Sequence, residues 1–213
     1  FFLKKNKRFY SSFFSKTKGD DEALEAVKKI TNSHIIDFQP LSSVENSLRD
    51  TVGIIIAASG NEKRWAISNY LKILKFLKEK NYKKFLIISG LDQSKDENII
   101  KEKFIQNTDI IFTSDKKISD VIPYLKKCKF CIGNDTGFSH LSVNLDVETL
   151  VIQGDCPPQS YSKLLKHVDI ESNVNRSPTS IHTIKIEKVL DELSKLLNRR
   201  GGRVVEGARL ESV

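Results

Sequence analysis

Phe130-Cys131-Ile132-Gly133-Asn134-Asp135-Thr136-Gly137-Phe138-Ser139-His140 is the stretch from which the fold is read. Three apolar residues predict a buried strand. Asn134, Asp135 and Thr136 are turn formers and helix caps, and a helix is predicted over Gly137 to Leu145. Gly133 and Gly137 bracket the turn and let the backbone come close to a ligand. The first-turn N–H groups of a helix lack intrahelical acceptors, so an anion is favoured there. We expect that anion to be a diphosphate. On this segment alone, a helix cap with glycines needed for packing accounts for the same residues.

Outward from this stretch the pattern repeats. Val52-Gly53-Ile54-Ile55-Ile56-Ala57-Ala58 is a continuous apolar run rich in β-branched residues, as in a strand buried on both faces. It ends in the loop Ser59 to Trp65, followed by an amphipathic helix over Ile67 to Glu79 with Tyr70, Leu71, Leu74 and Leu77 at helical spacing. Further strands are predicted at Lys84 to Ser89, Asp109 to Phe112, Lys129 to Ile132 and Thr149 to Gln153. Helices are predicted near Asp96 to Gln106, at Ile118 to Lys127 and at Thr179 to Asn198. Short strands alternating with helices imply an α/β fold, a Rossmann-like doubly wound parallel sheet. Ligands bind beyond the carboxyl ends of such strands, so the loops that matter begin at Ser59, Gly90, Gly133 and Gly154. Residues 51–198 form the predicted Rossmann-like, ligand-binding domain. Residues 1–50, with a predicted helix over Asp20 to Ile30, are expected to be a linker or edge of a missing N-terminal domain. Residues 199–213, rich in Gly and Arg, are expected to be a disordered tail.

Composition narrows the chemistry. At 39% hydrophobic and 29% charged, the 213 residues suit a globular protein. No apolar run approaches the roughly 18 to 20 residues of a membrane span. Phe stands at position 1 and methionine is absent, so the sequence is expected to be a piece of a longer protein. The net charge of +8 calls for an anionic partner. Much of it lies in Lys4, Lys5, Lys7, Arg8, Lys16 and Lys18, interleaved with phenylalanines. That opening segment reads as a cut linker or as a peripheral contact with a membrane surface. Nucleic acid is not expected as a partner. Cys128, Cys131 and Cys156 are expected to be inert thiols in a reducing cytoplasm.

Several polar residues leave the same predicted sheet edge. Lys63 can supply positive charge to a phosphate, and Asp96 or Glu97 can accept hydrogen bonds from ribose hydroxyls. Each also reads as an ordinary solvated lysine or helix N-terminal acid. Trp65 is expected to pack on the sheet and hold its loop. His140, early in the central helix, reads as a structural hydrogen-bonding residue. No metal cluster, nucleophilic triad, Walker loop or G-x-G-x-x-G stands out in the sequence.

Ser59-Gly60, Lys63-Arg64-Trp65, the strand ending at Gly90 and above all Gly133 to Leu141 resemble the C-terminal half of glycosyltransferase family 9, the heptosyltransferase-like enzymes. The resemblance runs from Val52 to Leu197. It implies the C-terminal domain of a GT-B enzyme, which transfers a sugar from a nucleotide donor, often ADP-heptose, to a lipopolysaccharide-type, lipid-linked acceptor. It implies donor contacts from Ser59, Lys63, Asp96, Glu97, Asn134, Asp135, Thr136, Gly137 and His140. Asp135, Thr136 and Gly137 would hold the diphosphate, Lys63 would neutralise the leaving group, and Asp96 or Glu97 would bind the ribose. The resemblance implies no cofactor or metal, and it implies a cytoplasmic enzyme for which peripheral contact with the inner face of the membrane is an option. The family's general base belongs to the N-terminal half, so no catalytic residue is assignable here. The other reading is a catalytically incomplete nucleotide-binding remnant. Two positions depart from the family pattern: Ala66 replaces the proline after Lys-x-Trp, and Asp155-Cys156-Pro157-Pro158 replaces a Pro-Thr-Asp-Pro-like loop.

Overall fold

The computed structural model describes residues 49–104 and 109–209, with side chains to residue 199. The expectations for the basic opening segment and the helix over Asp20 to Ile30 lie outside the described residues. Six strands form one parallel sheet: β1 (Thr51–Ile55), β2 (Lys84–Ile88), β3 (Asp109–Phe112), β4 (Cys128–Asn134), β5 (Thr149–Gln153) and β6 (Leu165–Asp169). Their order is β3-β2-β1-β4-β5-β6. The helices are α1 (Ile67–Glu79), α2 (Ser94–Phe104), α3 (Ile118–Leu125), α4 (Gly137–Asn144) and α5 (Ile186–Arg209). Helix α5 thus continues into the stretch that the sequence reading set apart as a tail from residue 199.

The sheet is buried on both faces, and residue parity decides which face each side chain joins. Val52, Ile54, Phe130, Ile132, Leu150 and Ile152 point into a layer completed by Tyr70, Ile73, Leu74 and Leu77 of α1 and Val189, Leu193 and Leu196 of α5. Ile55, Leu86, Ile88 and Cys131 face the opposite layer, built with Val121 and Leu125 of α3 and with Leu145 and Val147 beyond α4. The one-turn spacing of the buried residues in α1 and α5 gives each helix a continuous apolar stripe against the sheet.

The strand order places a topological switch between β1 and β4. From β1 the chain winds outward through β2 and β3, then returns to the other side of β1 and winds the opposite way. Loops diverge at that point and open a crevice beyond the strand ends. Gly133 makes the junction tight: a Cβ there would lie 2.0 Å from the Ile55 carbonyl oxygen. Its glycine serves close strand packing and not the approach of a ligand.

Three boundaries differ from expectation. Strand β4 runs to Asn134, because Gly133 and Asn134 still pair with Val151 and Ile152 of β5. Ile56 to Ala58 leave the ladder although they continue an apolar run; the amides of Ile56 and Ala57 both donate to the Ile88 carbonyl, at 2.9 and 3.0 Å. The closing segment begins as a 3-10 turn, Pro178–Thr183, and becomes helical only at Ile186.

Candidate functional site

The crevice between β1 and β4 has a polar floor centred on Asn134, the last residue of β4. Its side chain is fully buried. The amide nitrogen donates to the carbonyls of Ile56 (3.0 Å) and Ala57 (3.3 Å). The amide oxygen accepts from the Tyr70 hydroxyl (2.7 Å) and the Trp65 N–H (3.3 Å). All four hydrogen-bonding positions of the amide are used. Burial pushes the Tyr70 phenol well above its ordinary value, so it stays a donor. Asn134, expected among the donor contacts, is therefore spent within the protein: it ties the end of β1 to β4 and to the start of α1.

Trp65 is buried, and its indole N–H donates to the Ile184 carbonyl at 3.0 Å. It packs edge-on against Tyr70 at 5.5 Å between ring centroids. This anchors one end of the β1 loop, whose short 3-10 turn, Asn61–Lys63, ends on the lysine. Arg64 pairs with Asp92, linking the β1 loop to the loop after β2.

The turn after β4 opens α4. Thr136 is its N-cap, with extended backbone and a side-chain oxygen that accepts from the Phe138 N–H at 3.3 Å. The Ser139 and His140 amides reach the Thr136 carbonyl at 3.0 and 3.4 Å. Two of the first-turn amides expected to face an anion, those of Phe138 and Ser139, are thus taken up by Thr136 itself. Gly137, the first helical residue, is exposed at the end of the helix. Ser139 is buried and donates to the Asn134 carbonyl at 2.7 Å, which fixes the angle between strand and helix.

Above this floor, half-buried groups converge. Lys63 Nζ lies 2.5 Å from Asp155 Oδ2, and the two line one cleft with Asp135, Gly154 and Ile181. The hydrogen bond to Asp155 raises the Lys63 pKa against the opposing effect of burial, and the charge of Asp135 adds to it. Burial works against the charged form of Asp155, but the bond and charge of Lys63 outweigh it and hold the carboxyl below its ordinary value. Asp135 Oδ1 is also 3.2 Å from His140 Nε2, and His140 Nδ1 is 2.6 Å from the Tyr161 hydroxyl. Ligand-type atoms of Asp135, Asp155 and Cys156 lie within 4.8 Å of one another, and the Lys63 ammonium bonds one of them. Ser59 is exposed in the β1 loop.

The loop after β5 is held from two sides. Gln153 Nε2 donates to the Pro157 carbonyl at 2.9 Å. Arg176 Nη1 donates to the Cys156 carbonyl at 2.6 Å while the guanidinium forks onto Asp169 at the end of β6. A Cβ on Gly154 would lie 2.3 Å from the Ile181 amide nitrogen, so only glycine lets the two segments pass. Sequence reading drew attention to this loop but passed over Asp155. Its signal was the departure from the family's loop at that position.

A second cleft of about 350 Å³ opens beyond β2 and β3, lined by Ser89, Gly90, Leu91, Ser114, Ile118 and Phe138 among others. Its apolar walls are unusually bare, Leu91 being 80% and Ile118 62% exposed. Glu97, expected at a ribose, is instead 2% exposed beneath the loops. Its carboxylate accepts from Ser89 Oγ, the Ser114 N–H (3.1 Å) and Ser114 Oγ (2.7 Å). It joins the ends of β2 and β3 to α2 and is spent there. Asp96, one residue earlier, is half-buried in the first turn of α2.

The thiols divide by position. Cys128 and Cys131 both lie buried in β4, and the hydrogen bond with Cys131, reinforced by burial, pushes the Cys128 thiol well up. Neither suits nucleophilic or redox chemistry. Among the described residues, no helix is long and apolar enough to cross a membrane.

Comparison with known proteins gives this geometry a family. The model of glycosyltransferase family 9 (heptosyltransferase) matches residues 14–190. The chain resembles the structure of E. coli heptosyltransferase WaaC with ADP-2-deoxy-2-fluoro heptose, with a TM-score of 0.63 and 15% identity, over 85% of this chain and 56% of that one. It resembles E. coli ADP-heptose lps heptosyltransferase II with a TM-score of 0.61 and 20% identity, over 73% and 48%. For the glycosyl transferase family 9 structure from Veillonella parvula DSM 2008 the TM-score is 0.57 and the identity 14%, over 83% and 51%. No curated protein matches. The chain spans about half the length of the solved structures it matches. The six-stranded parallel sheet matches the GT-B-like, Rossmann-type fold of these heptosyltransferases, and the chain belongs to glycosyltransferase family 9, the heptosyltransferase family.

Proposed function

We propose that this chain is the donor-binding half of a glycosyltransferase that moves a sugar from a nucleoside diphosphate, ADP-heptose in the first instance, to a lipopolysaccharide-type, lipid-linked acceptor. The observation that carries the reading is the convergence of Lys63 from the β1 loop with Asp135 from the β4 turn in one cleft at the topological switch point. In this reading the diphosphate lies between Lys63 and the Thr136–Gly137 end of α4. The nucleoside occupies the cleft beyond β2 and β3, with its base against Leu91, Ile118 and Phe138 and its ribose towards Asp96. Asp135 and His140 face the sugar.

Transfer breaks the bond between the anomeric carbon and the diphosphate oxygen, and the electron pair stays on the diphosphate. Lys63 and the positive end of α4 stabilise that developing charge. The acceptor hydroxyl that forms the new bond is deprotonated by a general base in the half that faces this one. On this reading we expect the isolated chain to turn over no donor. A lipid-linked acceptor places the enzyme in the cytoplasm, at the inner face of the membrane.

Calorimetric titration with ADP, UDP and GDP tests the reading. We expect ADP to bind and Lys63→Ala to weaken it; absence of binding by all three would remove the donor-site assignment. Glycosyl transfer by the chain alone, without an N-terminal half, would overturn the placement of the base. The alternative is a catalytically incomplete nucleotide-binding remnant. It predicts no transfer even when an N-terminal half is co-expressed.

A further inference from the structure

The donor cleft carries an excess of negative charge before any ligand arrives. Lys63 is the cation among its lining residues, and it faces two carboxylates, Asp135 and Asp155. Asp155 holds the ammonium at 2.5 Å. The nearby guanidinium of Arg176 is committed to Asp169 and to the Cys156 carbonyl. Asp155 is also poorly placed to withdraw, since its loop is pinned by Gln153, by Arg176 and by the close passage of Gly154 over Ile181. A diphosphate that draws on Lys63 must therefore share it with a fixed carboxylate.

We propose that Asp155 sets the preference of the site for the intact nucleotide-sugar over the nucleoside diphosphate left after transfer. This rests on the donor-site reading above. In the nucleotide-sugar the diphosphate is esterified at both ends. When the bond to the anomeric carbon breaks, its electron pair stays on the terminal phosphate, which gains one negative charge. Like charges close together in a partly desolvated cleft repel strongly, so Asp155 weighs more on the product than on the donor. The residue weakens donor binding somewhat and releases the product more readily.

The test compares matched pairs, ADP with ADP-glucose, UDP with UDP-glucose and GDP with GDP-mannose, titrated calorimetrically into the wild-type chain, Asp155→Asn and Asp155→Ser. For the base that binds, we expect either substitution to tighten the nucleoside diphosphate about tenfold and the sugar nucleotide about threefold. The diagnostic quantity is the ratio of the two affinities, which should shift towards the product by about threefold. Asp155→Ser provides the same reading if the asparagine variant does not fold. Equal tightening of both ligands would overturn the proposal, because the carboxylate would then not discriminate. Weaker binding of both would also overturn it, and would assign Asp155 to positioning Lys63. So would a wild-type chain that already binds the nucleoside diphosphate about tenfold more tightly than its sugar conjugate. If wild type and both variants bind none of the six ligands, the donor-site reading itself fails and the proposal falls with it.

Discussion

The two sheet-edge regions that could receive a nucleotide-sugar are built on opposite plans. At the β1–β4 end, the buried staple and the groups left for a ligand are different residues. Asn134 saturates itself on Ile56, Ala57, Trp65 and Tyr70, while its neighbour Asp135 stays half-buried above it with Lys63 and His140. At the β2–β3 end, the acidic residue that suggested ribose binding is itself the staple: Glu97 is consumed by Ser89 and Ser114. What remains exposed there includes two large apolar side chains, Leu91 and Ile118, beside the charged Asp115 and Lys117. The contrast separates a cleft lined mainly by charged groups from one that adds large exposed apolar side chains to its charges. It also shows that a polar residue next to a cleft is a ligand group only if its hydrogen-bonding capacity is not already used.

The sharpest way to break this contrast is Asn134→Leu. It strands two carbonyls and an amide and removes the shorter-range acceptor of the Tyr70 phenol, and should cost about 3–5 kcal/mol in urea unfolding. A loss below about 1 kcal/mol would mean that Asn134 is not the staple. Glu97→Ala should cost about 2–3 kcal/mol, since Ser89 and Ser114 lose their acceptor. If it instead abolished nucleotide binding at unchanged stability, the two ends would be alike. Lys63→Ala should do the reverse, leaving unfolding within about 0.5 kcal/mol of wild type and weakening nucleotide binding about 10- to 100-fold.

Two smaller effects refine the picture. Burial lowers the His167 pKa from its ordinary 6.5, and Nε2 donates to the Gln159 carbonyl at 2.8 Å while the buried Nδ1 has no partner. The folded state holds this imidazole neutral, so its contribution is present above pH 6.5 and is lost as pH falls through the lowered value. Unfolding measured between about pH 7 and 5 should therefore be flatter for His167→Gln than for wild type. Tyr161→Phe should shift stability by less than about 0.5 kcal/mol. It should, however, change the nitrogen chemical shifts of His140, whose Nδ1 loses the phenol while Nε2 keeps Asp135.

How far the sequence carried this reading depends on the physics of each element. Strands buried on both faces, such as β1, β2 and β5, announce themselves as apolar runs, and the helices that cover them show one-face periodicity. Strand β6 did not, because Leu165-Lys166-His167-Val168-Asp169 sits at the sheet edge with only Leu165 and Val168 buried. Ile56 and Ala57 misled in the opposite sense: they are buried and apolar, but their polar groups are satisfied by Ile88 and Asn134 and not by a strand ladder. The convergence of Lys63 and Asp135 was legible from loop positions alone. The saturation of Asn134 and Glu97 was not, because it depends on Tyr70, Ser89 and Ser114, which are distant in sequence. Asp155 was visible only as a departure from the family's loop, and its meaning required the distance to Lys63.

The chain's single tryptophan has a further use. Trp65 stands two residues from Lys63, 3% exposed, with its indole bonded to the segment that leads into α5. Sealed from water, it should emit at short wavelength, so movement of the lysine loop on nucleotide loading would register as an emission change with no added dye. The residue that anchors the loop thus also serves as an optical gauge of site occupancy.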